Sequence, residues 1–401
     1  MTIAIVTHSV APRGGFVHAL SLAEELHRQG VDVHLVALGT STAMGDPAAA
    51  LFRPTTVPRT ILPGPSKAGT TLTERVFAAI DTLAVGLAAM ADRFDVVHAQ
   101  DCIAARAAVR VRESGAAITV VRTVHHVDDF TTQALVDCQR EAVLEPDTVL
   151  VVSEQWRRIL LDEYGRAAVV VHNGVDPDRL PAPSARVRAG LRDSIGADGR
   201  FVFLGIGGIE PRKGSVHAFH ALARLRRSGI DAMLAVVGGH SFQDYAGYRD
   251  AALAELPGLG LTLGRDVVLL GTVDEDQLAG WYHSADALCF PSVKEGWGLA
   301  VMEAMAAGLP VVASDLEVFK EYLQDGVNAL LPPVADEVAL AAAMRSLALD
   351  ANLRDRLVAG GRAVLPRFTW EATARRHREI YAGLRSGGTV GSAEVAPTPA
   401  R

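Results

Sequence analysis

Cysteine is scarce. Cys102, Cys138 and Cys289 are the three in 401 residues, odd in number, widely spaced and without a Cys-x-x-Cys pair. That excludes a disulfide framework and a zinc site built on paired cysteines, and it fits a reducing compartment. Each is read as a small buried apolar residue. Aromatic residues make up 5% of the chain, so the core has to be built from the abundant alanine, valine and leucine of closely packed helices and strands. No long basic run occurs, and the net charge is −7, which argues against nucleic acid as a partner. One local site can still hold an anion. The longest apolar stretch, 83–91, is about half the ~20 residues a membrane span needs. Neither a charged leader nor an apolar h-region precedes the first strand, so no signal peptide is expected. A cytoplasmic location follows, with peripheral contact at the inner face of the membrane compatible with it.

A hydrophobic fraction of 49% with 21% charged residues is that of a globular chain, and at roughly 100–200 residues per domain this length predicts two domains. Short β-rich runs at 3–7, 31–38, 95–99, 118–124, 148–152 and 167–171 alternate with helical stretches at 16–29, 72–93, 103–113 and 154–164. Continuous Val/Ile/Ala runs mark strands covered on both faces, hence a parallel sheet. The stretch 47–70 is rich in Pro, Gly and Thr and reads as an irregular excursion. A linker, partly helical, is expected at 181–200. The alternation then restarts, with strands at 201–206, 231–237, 267–270, 287–290, 311–314 and 328–331. After Pro332 and Pro333 only helical stretches follow. The predicted fold is α/β, two doubly wound Rossmann-like domains facing across a cleft. Residues 1–180 form the first and 181–367 the second, a helix at 368–385 returns to the first, and 386–401 has too little to bury and reads as a disordered tail.

The chemistry concentrates in one string, Phe290-Pro-Ser-Val-Lys-Glu295-Gly296-Trp297-Gly298-Leu299-Ala-Val-Met-Glu303. A strand runs into a glycine-containing loop and then a helix. This order points unpaired backbone N–H groups and the positive end of a helix at an anion. Glu303, about one turn into the helix, can accept two hydrogen bonds from a ribose diol, and Glu295 can bind sugar hydroxyls.

The string resembles the E-x7-E motif of retaining GT-B glycosyltransferases of the family 4 (group 1) type. Other matches follow in the same order along nearly the whole chain. Pro12-Arg-Gly14-Gly15 is similar to the family's N-terminal glycine loop and Thr123-Val-His125 to its active-site histidine segment. Asn173-Gly174-Val175-Asp176 is similar to the stretch before the linker, and Glu210-Pro211-Arg212-Lys213-Gly214 to the phosphate-binding lysine loop. Phe368-Thr369-Trp370 opens what looks like the closing helix. The resemblance implies a GT-B fold whose C-terminal domain binds a UDP-, GDP- or ADP-sugar. The N-terminal domain would bind a carbohydrate, lipid or small-molecule acceptor. Transfer of a hexose to an acceptor hydroxyl would retain the anomeric configuration. Lys213, Arg212 and the backbone of Gly14, Gly15, Gly296, Trp297, Gly298 and Leu299 would meet the donor, Glu303 its ribose, and Glu295 and His125 its sugar. No catalytic metal or other cofactor is implied. The sequence departs from the family at Gly208, where an arginine is usual, and at His126, where aspartate is frequent.

Competing readings are weaker. His125-His126-Val-Asp128-Asp129 is a poor metal site because adjacent strand residues point to opposite faces. The stretch 205–210 misses the dinucleotide fingerprint at its sixth position, and 212–215 has the wrong order for a Walker loop. A sugar-nucleotide epimerase or hydrolase of the same fold, or a non-catalytic sugar-nucleotide-binding protein, stays open as an alternative.

Overall fold

The computed structural model describes residues 1–39, 51, 53–65, 69–239 and 245–385; the expected tail at 386–401 and part of the excursion at 47–70 lie outside them. Two fully parallel sheets form. The first holds β1 (Thr2–Thr7), β2 (Asp32–Gly39), β3 (Arg59–Pro63), β4 (Val96–Ala99), β5 (Thr119–Val124), β6 (Thr148–Val151) and β7 (Val169–Val170), in the order β3-β2-β1-β4-β5-β6-β7. The second holds β8 (Phe201–Ile206), β9 (Ala232–Val237), β10 (Val267–Gly271), β11 (Ala287–Phe290) and β12 (Val311–Ala313), in the order β10-β9-β8-β11-β12. Both are doubly wound. Each reverses direction beside its first strand, between β1 and β4 and between β8 and β11, and ligands of such sheets bind outside the carboxyl ends at that reversal.

The strands are buried on both faces, as their unbroken apolar runs require. Ile3 pairs with Val33 on one side and Val96 on the other. It packs with Leu20 and Leu22 of the helix Gly14–Arg28 under one face, while Val120 and Val97 pack against the helices Leu72–Ala88 and Cys102–Glu113 over the other. The helix Trp370–Arg385 lies on the first domain and puts Trp370, Ala374, Ile380 and Tyr381 into the core that contains Ile3 and Leu20. The chain thus crosses between domains twice, side by side: Val175 bridges Thr369, and a Cβ on Gly174 would lie 2.2 Å from the Trp370 nitrogen.

Two local expectations change, and a third becomes specific. β3 lies inside the excursion expected to be irregular, as an edge strand that pairs with β2 through its backbone and ends at Pro63, where no ladder donor is needed. The expected strand at 328–331 is reduced to an isolated bridge, Leu330 with Val312, because Pro332 and Pro333 stop the ladder. In the expected linker, the helix Ala185–Ser194 packs on the second domain, where Arg192 Nη1 donates to the Ser284 carbonyl at 2.9 Å. No helix among the described residues is long and apolar enough to cross a membrane.

Candidate active site

The loops after β8 and β11 emerge at the reversal of the second sheet and carry the charged residues singled out above. Glu295 is their centre. Its Oε1 accepts from Lys213 Nζ at 2.7 Å, Ser292 Oγ at 2.9 Å and Arg212 Nη1 at 3.2 Å. Burial alone would raise the Glu295 carboxyl, but Lys213 and Arg212 hold it below its usual range. Burial and the neighbouring Arg212 in turn lower the Lys213 ammonium, with Glu295 opposing. Lys213 also lies over the Phe290 ring, 4.5 Å from its centre. Glu295 and Lys213 are largely withdrawn from water while Arg212 stays partly exposed, so two cations flank one carboxylate with one of them open to solvent.

Gly208 has a steric reason. Its φ is +75°, and an added Cβ would sit 2.8 Å from the Gly239 carbonyl oxygen. The loops after β8 and β9 abut there, so this backbone has no room for an arginine. Arg212 brings a second cation from the other side of the loop.

Glu303 lies in the helix Leu299–Ala307, which starts at Gly298 without a side-chain cap. Its Oε2 accepts from the Tyr282 hydroxyl at 2.7 Å. Burial raises the Glu303 carboxyl above its usual value.

The facing domain closes on this loop. Trp156 Nε1, from the helix Glu154–Tyr164, donates to the Glu295 carbonyl at 3.0 Å. A Cβ on Gly296 would lie 1.9 Å from the His125 carbonyl oxygen, so only glycine permits this approach. Lys294 reaches Asp129 at 2.7 Å. Arg53 is buried between Glu24 of the first domain at 2.6 Å and Glu275 of the second at 3.1 Å.

His125 thus borders Glu295 through the backbone. Its Nε2 donates to Gln100 Oε1 at 3.1 Å, and its ring meets His18 edge-on with centroids 4.6 Å apart. Burial, followed by the neighbouring His126, pushes its pKa down to about 3, so at neutral pH it is an uncharged hydrogen-bonding group. His126 turns to Asp128, with Nε2 3.4 Å from Oδ1. Gly14 and Gly15 open the helix Gly14–Arg28 beyond β1, and a Cβ on either would meet nothing within 4 Å. Trp297 differs from its neighbours: its indole is buried, stacked on His172 at 4.8 Å and packed on Tyr322 and Phe368. Its carbonyl accepts from the Tyr322 hydroxyl at 2.8 Å, and its ring packs between the domains.

The structure therefore brings Lys213, Arg212, Glu295 and the backbone of His125 and Gly296 together. Glu303 stands one helical turn away, and Gly14 and Gly15 lie across the cleft. Sequence reading missed Ser292, Tyr282, Trp156 and Arg53. Ser292, three residues before Glu295, was within sight as part of the quoted string. The other three reach the site from distant segments, which no local spacing signals.

Residues 12–179 match the family described as Glycosyltransferase Family 4, and residues 188–364 the one described as Glycosyl transferases group 1. A phosphatidyl-myo-inositol mannosyltransferase of Mycobacterium leprae is 32% identical over 306 residues, covering 74% of this chain and 75% of that one. A D-inositol 3-phosphate glycosyltransferase of Xylanimonas cellulosilytica is 30% identical over 310 residues, covering 72% of each. Among solved structures, a sucrose-phosphate synthase from Thermosynechococcus elongatus superposes with TM-score 0.79 at 21% identity, over 97% of this chain and 100% of that one. Anabaena HepE in complex with UDP-glucose gives TM-score 0.79 at 20% identity, over 96% and 100%. These likenesses identify the fold as GT-B.

Proposed function

Because the chain belongs to the group 1, family 4 type of glycosyltransferases, and is thus an enzyme of the transferase class, we propose that it moves a hexose from a nucleoside-diphosphate sugar to an acceptor hydroxyl with retention of configuration. The observation that carries this reading is the convergence of Lys213 and Arg212 on Glu295, in a loop that leads into the helix bearing Glu303.

The second domain binds the donor. Glu303 accepts the ribose hydroxyls, with Tyr282 fixing its second oxygen. Lys213, Arg212 and the amides at 296–299 hold the diphosphate, whose developing charge they stabilise as the sugar leaves. A diphosphate there competes with Glu295 for both cations and frees the Glu295 carboxylate for sugar hydroxyls. His125, neutral, hydrogen-bonds the transferring sugar. Gly14 and Gly15 let the donor phosphate or the acceptor approach the backbone closely. With two side-chain cations and a helix N-terminus at the leaving group, turnover requires no metal and no other cofactor.

The first domain binds the acceptor. The names of the relatives favour an inositol- or sugar-bearing acceptor, soluble or lipid-borne, and a mannosyl or related donor. HepE favours UDP as the carrier among UDP, GDP and ADP. The enzyme would work in the cytoplasm, touching the membrane only peripherally, and without nucleic acid.

Melting curves with UDP, GDP and ADP test the donor site. One of them should raise the melting temperature of the wild type and much less that of Glu303→Ala; equal responses would remove Glu303 from the ribose. Transfer should persist in EDTA, and a metal-reversible loss would overturn the metal-free step. Free sugar or an epimer released at turnover rates without acceptor would point to a hydrolase or epimerase instead.

A further inference from the structure

Arg122 is the one charged residue of β5, in the middle of the first sheet. It pairs with Ala99 of β4 and Val149 of β6. Alternation along the strand puts its side chain on the face shared with Val120, which is covered by the helices Cys102–Glu113 and Gln133–Leu144. It is only 3% exposed, and its Nε and Nη1 have no hydrogen-bond partner. A guanidinium keeps its charge when buried, and leaving its donors unmet in a dry site is costly. The arrangement persists only where some partner compensates it.

The nearby carboxylates do not. Asp101 and Asp128 lie within electrostatic reach of Arg122, but neither forms an ion pair with it. Asp101 is committed elsewhere. Its Oδ1 takes the Ala104 amide at 2.8 Å, and its Oδ2 takes the His8 amide at 2.8 Å and the Thr7 hydroxyl at 3.0 Å. His8 Nδ1 lies 3.0 Å from the same oxygen. Asp128 is approached by His126, and its backbone is fixed on both sides by Gln139, at 2.8 and 2.9 Å. Neither carboxylate meets the Arg122 Nε and Nη1 donors, which are the surplus hydrogen-bonding capacity of the group.

The location gives that surplus a use. The group sits at the carboxyl ends of β1, β4 and β5, beside His125, on the half of the cleft assigned above to the acceptor. We infer that Arg122 is the counter-ion for an oxyanion carried by the acceptor, of the phosphate-ester class, held at the floor of the first domain's side of the cleft. The inference rests on the domain roles proposed above. A guanidinium with two unengaged donors matches a phosphate bidentately.

The test uses the full chain saturated with whichever of UDP, GDP or ADP binds, so that the donor site does not report on added phosphate. At ~20 mM, inorganic phosphate and glycerol 3-phosphate should each raise the melting temperature by about 2 °C or more, and glycerol at the same ionic strength should not. Arg122→Met should abolish that response while melting no lower than the wild type without phosphate, because it replaces an unsatisfied buried charge with a side chain of similar length. Arg122→Lys should keep a weakened response. An undiminished response in Arg122→Met, no response in the wild type, or a lower melting temperature in Arg122→Met would each overturn the inference, the last by showing a structural tie. Flotation with vesicles of phosphatidylglycerol against phosphatidylcholine separates the sources. Arg122-dependent flotation assigns a lipid headgroup, and protection by phosphate without flotation assigns a soluble ester. Failure of all three nucleotides to bind would count against the donor site alone, leaving the phosphate arm to decide on Arg122.

Discussion

The contact between Gly296 and His125 yields the sharpest prediction, because a single methyl group tests whether domain closure sets the geometry of the catalytic loop. In Gly296→Ala the new Cβ would lie 1.9 Å from the His125 carbonyl oxygen, against the 3.0 Å below which such contacts essentially never occur. The loop or the facing domain must give way by roughly 1 Å, and overpacking of this kind costs about 1–3 kcal/mol. That movement stretches the 3.0 Å bond from Trp156 to the Glu295 carbonyl and shifts the carboxylate under Lys213 and Arg212. Misplacement by ~1 Å costs on the order of 10²-fold in rate. The amides at 296–299 move with the contact, while Glu303, seven residues further on in the helix Leu299–Ala307, is displaced less, so nucleoside-diphosphate affinity by titration calorimetry should fall far less than the rate, by no more than about tenfold, equivalent to ~1.4 kcal/mol. The expected outcome is a large fall in kcat with near-normal nucleotide binding and an intact fold by circular dichroism. A variant turning over at the wild-type rate, or one losing nucleotide affinity in proportion to rate, would refute the reasoning.

Lys213→Ala should lower kcat by about 10²–10³-fold, the scale of removing one electrostatic partner of a developing charge, and a near-normal rate would take Lys213 off the diphosphate. Tyr282→Phe removes the hydroxyl that donates to Glu303, whose carboxyl burial already raises. Nucleotide affinity should fall about tenfold, consistent with ~1–3 kcal/mol for an unmet buried acceptor, and more steeply at lower pH; unchanged affinity would contradict it. Burial lowers the pKa of His18 and His98 well below the usual value and that of His377 to about 4. The unfolded chain therefore binds more protons than the folded one on acidification. The stability these three contribute is complete above pH ~6.5 and is lost as pH falls toward 4, by up to ~1.4 kcal/mol per pH unit for each. Denaturant melts at pH 7, 6 and 5 measure this, and a flat profile would show that the imidazoles are not held neutral.

Much of the fold was legible because parallel strands buried on both faces leave continuous apolar runs, and glycine or a polar cap marks many of the boundaries. β3 escaped because an edge strand with a half-exposed face needs no such run and is held mainly by its backbone. The 328–331 stretch has strand composition, but the proline pair after it denies the ladder its donors. At the site, Glu295, Lys213 and Glu303 were readable from strand–loop–helix order. Their mutual geometry was not: that Lys213 and Glu295 share one ion pair depends on two loops meeting at the reversal of the sheet. Trp156 and Arg53 come from the other domain. The steric ban on a side chain at Gly208 arises from Gly239, a contact between two loops that no local pattern announces.

The second crossing between domains has a consequence for synthesis. The second domain, 181–367, is an insertion within the first, whose core is completed only by Trp370, Ile380 and Tyr381. During translation the first sheet emerges early but lacks the helix Trp370–Arg385 until the whole second domain has been made. The inserted domain leaves the ribosome whole and can fold as a unit. The first domain is therefore completed only after the second has been made, and a chain cut before residue 370 would leave that face of the first sheet covered by the helix Gly14–Arg28 but without Trp370, Ile380 and Tyr381.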